Sequence, residues 1–101
     1  MATILQFDFP YPGPWGPEGE TALRELAESI VQEPGFMWKV WTENQSEGIA
    51  GGIYCFADEQ SALAYRDMHA ARLGSFGIKD IRAKVFDINE GLSAITNFKA
   101  A

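Results

Sequence analysis

The chain carries a single cysteine, Cys55, and a single histidine, His69. One cysteine excludes an internal disulfide. One residue of each type is too few for a structural zinc site, and no metal-ligand set is expected. Basic residues are also scarce. Eight Lys and Arg stand against 14 Asp and Glu, for a net charge of −6. No basic stripe results, so neither nucleic acid nor an anionic membrane surface is an expected partner. No apolar run approaches the roughly 20 residues that span a bilayer. The start, Met1-Ala2-Thr3-Ile4, has no basic region leading into an apolar one. A cytoplasmic location is therefore expected. The phosphate-cradling patterns GxGxxG and GxxxxGK[ST] are missing, which argues against a nucleotide site. Gly48-Ile49-Ala50-Gly51-Gly52 is glycine-rich but leads into a strand, and a turn needing free backbone angles is its expected role. The acidic residues are scattered, with no paired-carboxylate motif.

What is abundant is apolar surface. In 101 residues, 47% are hydrophobic and 13% aromatic. The whole chain, 1–101, fits one domain, and a domain this size buries only about 60–70% of its unfolded surface. A partner subunit, a ligand pocket or both are expected to use the surplus. Cys55, in an apolar run, reads as a core residue.

Residues 2–9 alternate as a strand, with Thr3, Leu5, Phe7 and Phe9 on one face and Ile4, Gln6 and Asp8 on the other. Four prolines (Pro10, Pro12, Pro14 and Pro17) then crowd into eight residues, which excludes a strand or a helix interior. Tyr11 and Trp15 sit in this loop, either as a flap over the body or as the lining of a mouth. Leu23, Leu26, Ala27, Ile30 and Val31 recur at helical spacing, predicting a helix over 18–32 that Pro34-Gly35 stops. Residues 36–43 and 50–57 read as a hairpin across the polar turn Asn44 to Gly48. Asp58 is an expected N-cap for a helix over 59–73, with Ala62, Tyr65, His69, Leu73 and Phe76 along one stripe. Residues 80–88 form a last strand, and the tail after it is expected to make one or two helical turns.

The order β-α-β-β-α-β predicts an α+β, ferredoxin-like antiparallel sheet with both helices on one face. The other face of such a sheet is ordinarily polar. Here the second strand is expected to place Phe36, Trp38 and Val40 on one face and Met37 and Trp41 on the other. The third places Ile53 and Cys55 opposite Tyr54 and Phe56. With both faces apolar, a second copy of the sheet is the simplest cover, which predicts a homodimer.

The segments FMWKVWTENQSEGIAGGIYCF, ALAYRDMHAARL, AKVFDINEGLS and ESIVQEPGF resemble the YdhR family, a branch of the antibiotic-biosynthesis monooxygenase superfamily, and the similarity runs over essentially the whole chain. The resemblance implies a ferredoxin-like fold pairing into a dimeric α/β barrel, and an oxidation without flavin, nicotinamide or metal. Haem-degrading relatives use an Asn on the first strand, a Trp on the third and a His on the second helix. Here the first strand offers Gln6 or Asp8 and the third Tyr54, so only His69 matches, and haem breakdown is not expected.

The residues themselves suggest acid–base chemistry on a flat substrate. His69 is the expected general base, because a base works best with a pKa near the working pH. Tyr65, one turn before it, and Arg72, three residues after it, complete the candidate catalytic set. Arg72 or Lys39 is expected to stabilise the resulting anion. Trp38, Trp41, Tyr54 and Trp15, with Lys39, are the candidate substrate-binding residues. Lys39 is expected either to pair with Glu43 or Glu47 or to reach the barrel rim. The bland alternatives are a core role for His69 and for both strand tryptophans. The expected activity is a cofactor-independent monooxygenation of a small aromatic compound; the alternative is a non-catalytic carrier using the same pocket.

Overall fold

The computed structural model describes residues 2–99. Its elements are β1 (Thr3–Pro10), α1 (Gly16–Ile30), β2 (Phe36–Asn44), β3 (Ile49–Phe56), α2 (Glu59–Ser75), β4 (Arg82–Asp87) and α3 (Glu90–Ile95). All strand pairs are antiparallel, in the order β2-β3-β1-β4, which is the ferredoxin-like arrangement. Directly paired residues share a face. Thr3 and Phe56, Leu5 and Tyr54, and Phe7 and Gly52 therefore look toward the helices. Ile30 of α1 and Ala62, Tyr65 and Leu73 of α2 join Leu5, Phe7, Tyr54 and Phe56 in one buried cluster, so both helices lie on that face. Among the described residues, no helix is long and apolar enough to cross a membrane.

The helix boundaries follow local chemistry. The Asp58 carboxylate accepts a hydrogen bond from the Ser61 N–H at 2.7 Å and caps α2. Asn89 caps α3 in the same way through the Leu92 N–H, at 3.0 Å. The first helix begins at Gly16 rather than 18, because Pro17 falls in its first turn, where a missing N–H costs nothing. It ends at Ile30, leaving Val31 off the buried stripe and 55% exposed. Phe76 also leaves its expected stripe. It follows the last residue of α2 and is exposed. The last strand starts at Arg82 because Asp80 takes a left-handed backbone (φ 56°) that cannot join a ladder.

Two strand expectations need correction. A bulge between Phe36 and Trp38 changes the parity of β2. Phe36, Lys39, Trp41 and Glu43 face the helices, while Trp38 and Val40 pair with Cys55 and Ile53 on the open face. Strict alternation had put Phe36 with Trp38 and Val40. The second correction concerns the glycines. Gly48 does take a positive φ (69°) in the hairpin turn, but Gly51 and Gly52 lie within β3 at ordinary strand angles. They are required for room. A Cβ on Gly51 would run into the Phe7 carbonyl oxygen, and one on Gly52 would come within 2.5 Å of Lys39 Cε.

Candidate active site

Along the helix-facing surface, β3 presents Phe56, Tyr54, Gly52 and Ala50 in turn. The large residues fill one end. At the other, Gly52 and Ala50 leave the floor low, and a cavity of about 310 Å³ forms there. Its floor is Phe9, Lys39, Trp41, Ala50 and Tyr54. Leu23 and Leu26 of α1 and His69 and Leu73 of α2 form the roof, and Tyr11, Pro12 and Gly13 form part of the rim. A larger depression of about 480 Å³ shares Leu23, Trp41 and Glu43 with it but holds none of Lys39, Tyr54 or His69. The chemistry-bearing groups therefore belong to the smaller cavity.

Lys39 sits on the cavity floor. Its Nζ lies 3.2 Å from the Trp41 ring centroid and 4.5 Å from that of Tyr54. The expected pairing with Glu43 or Glu47 does not occur. Glu43 instead accepts from the Gly16 N–H at the start of α1 (3.4 Å), and Glu47 accepts from Asn44 Nδ2 (2.8 Å). Among the described residues, Arg66–Asp67 is the only ion pair. Burial, with the Arg72 charge as a second cause, lowers the Lys39 ammonium to a pKa of about 7.

His69 is buried, 3% exposed, and its ring stacks on Tyr65 at a centroid distance of 5.1 Å. Its hydrogen-bond partner is Arg72. Arg72 Nε and Nη2 lie 3.2 and 2.9 Å from His69 Nδ1. A guanidinium only donates, so Nδ1 accepts and the neutral ring carries its proton on Nε2. Burial, then the Arg72 and Lys39 charges, lower the His69 pKa to about 3. Arg72 also donates to the Tyr65 hydroxyl (3.4 Å), which in turn donates to the Tyr54 hydroxyl (3.3 Å). Burial raises both phenols, so they stay protonated near neutral pH.

Lys39, Trp41, Tyr54 and His69 thus converge on the cavity, while Tyr65 and Arg72 stand behind His69 and line none of it. Trp38 lies on the opposite sheet face, with its ring 6.5 Å from that of Phe98. Trp15 precedes the first residue of α1 and packs edge-on against Tyr11, at 5.3 Å. Tyr11 carries the loop's aromatic contact with the cavity. Phe9 and Leu23, and Gly52 beneath the Lys39 stem, were not legible as parts of the site. Tyr11 was visible as a large apolar group in a proline-rich loop. Cys55 is free and buried, and burial raises its thiol pKa, as suits a core residue.

The fold and site define a class: a ferredoxin-like α+β domain with an aromatic-walled cavity between its sheet and helices. Residues 4–99 match the family described as "Putative mono-oxygenase ydhR", and the chain belongs to that family. No curated protein matches the chain.

Proposed function

We propose that this protein is a cofactor-independent monooxygenase of a small, planar, electron-rich aromatic compound of the quinol or anthrone type. The observation that carries this reading is the cavity itself. Phe9, Tyr11, Trp41 and Tyr54 wall it, and Lys39 and His69 are its basic side chains. Aromatic walls suit a flat ring and exclude water, and a few placed polar groups orient it. The chemistry balances without an added reductant. A ring CH₂ of an anthrone gives up two hydrogens and gains one oxygen atom from dioxygen, and the other oxygen atom leaves as water. The protein's part is to remove one proton, hold the anion and keep the site dry.

The working unit in this proposal is a twofold dimer. The open sheet face carries Ile4, Ile53, Val40 and Phe86, the last two about half exposed. A second copy of the same face would bury them. Sedimentation at micromolar concentration is expected to give twice the chain mass, and a monomer mass overturns the dimer.

A carrier is the second reading, and one observation favours it: Arg72 occupies the proton-accepting nitrogen of His69, leaving no free histidine base. Oxygen uptake with a panel of quinols and anthrones separates the two. Turnover above the uncatalysed rate supports the oxygenase. Binding without turnover supports the carrier.

A further inference from the structure

The histidine that sequence spacing singles out is badly placed to accept a proton. Its Nδ1 is filled by two Arg72 nitrogens. Its Nε2 carries the ring proton and has no protein partner among the described residues. Among the described residues no buried polar side-chain atom lacks a partner, so Nε2 keeps some accessible surface, and His69 lines the cavity. His69 can therefore donate a hydrogen bond into the cavity but cannot take a proton from it without breaking its contact with Arg72.

The other cavity nitrogen is placed differently. The Lys39 stem lies over Gly52, where a Cβ would meet its Cε at 2.5 Å and its Nζ at 3.3 Å, so the missing side chain makes its channel. The rings of Trp41 and Tyr54 flank the amine, and no carboxylate pairs with it among the described residues. The charged and titratable groups around it come from each neighbouring element. Arg72, His69 and Tyr65 come from α2, Tyr54 from β3, Glu43 from β2 and Tyr11 from the rim loop; α1 contributes only Leu23 and Leu26 to this cavity. Arg72 opposes a positive charge on Lys39, and Glu43, the one carboxylate on the lining, is turned to Gly16.

We infer that Lys39 is the proton acceptor of this cavity and His69 a fixed hydrogen-bond donor beside it, so that the site takes planar phenols or enols and holds their ionised oxygen with these two groups. The O–H bond of the ligand breaks, its electron pair stays on oxygen, and the proton joins the Lys39 lone pair. In the proposed oxygenation that proton is later returned to the departing water. The inference rests on the proposed reaction for this last step only; the amine's state and reach are testable without turnover.

Lysines occur only at 39, 79, 84 and 99. The first test follows the four side chains by carbon-13 NMR in lysine-labelled protein. One resonance, absent in both Lys39→Met and Lys39→Gln, is expected to titrate near neutral pH. The second test treats the protein with 6-methoxy-2-naphthaldehyde and cyanoborohydride at pH near neutral. The amine and aldehyde form an imine with loss of water, and hydride fixes it as a secondary amine. Labelling of Lys39 is expected to exceed that of each other lysine at least about tenfold, because only a neutral amine condenses with the aldehyde. Four lysines titrating together, or uniform labelling, overturns the inference. Full oxygen uptake in a folded Lys39→Met variant overturns Lys39 as acceptor and leaves the oxygenase reading standing. Selective labelling with no uptake by any quinol does the reverse.

Discussion

At one end of the helix-facing sheet surface Thr3, Leu5, Tyr54 and Phe56 are almost wholly buried, and Ala62 and Tyr65 of α2 close over them. At the other end the same strands carry Ala50, Gly52, Lys39 and Trp41, and Leu23 of α1 stays partly exposed above them. One backbone ladder supports both ends. The difference lies in side-chain volume along β3: two large aromatics, then a glycine and an alanine. The packed end holds the fold together. The low end leaves space and places a lysine and a histidine there with few competing partners.

Four substitutions or conditions sharpen this contrast. Phe56→Ala at the packed end is expected to have the largest effect, about 3–5 kcal/mol in urea denaturation, from lost transfer energy and the cavity left behind. Gly51→Ala is expected to cost about 3 kcal/mol, because its Cβ meets the Phe7 carbonyl and backbone must move. Trp41→Ala, at the low end, removes a side chain that is already 41% exposed. Its expected cost is below about 1.5 kcal/mol, with a marked loss of naphthaldehyde labelling at Lys39. A cost matching that of Phe56→Ala would erase the distinction between the two ends.

The smallest expected effect is a pH dependence. Lys39 and His69 both bind protons less readily in the folded chain than in the unfolded one, so the unfolded chain takes up more protons and stability rises with pH. For His69 the window runs from about 3 up to the ordinary 6.5, and for Lys39 from about 7 up to 10.5. Between about pH 7 and 8 the Lys39 window is open and that of His69 is closed. The melting temperature is expected to rise by a few degrees there and to stay flatter in Lys39→Met. Equal slopes in both proteins would show that Lys39 keeps its proton on folding.

Much of the packed end was legible. Alternation in β1 put Thr3, Leu5 and Phe7 on the buried face, and helical spacing put Ala62, Tyr65, His69 and Leu73 on the buried stripe of α2. The low end was less so. The bulge after Phe36 adds a residue without any turn signal, and it decides that Lys39 and Trp41 enter the cavity while Trp38 leaves it. The fit of Lys39 over Gly52 joins two strands, and no spacing along one strand reveals it. The Arg72–His69 contact is local, three residues apart, and its partners were visible in the sequence. Its consequence depends on which ring nitrogen Arg72 reaches, which only the folded geometry decides.

The proposal that the low end oxygenates a planar ring is put to isotopically heavy dioxygen and anthrone. Mass spectrometry of the quinone product reads the outcome, alongside a variant with the cavity filled, Leu23→Trp. One heavy oxygen atom is expected in the new carbonyl, with heavy water as the coproduct, no accumulation of hydrogen peroxide, and loss of the excess rate in the filled variant. Product formed no faster than without protein, or formed with peroxide at an equal rate in the filled variant, would contradict it.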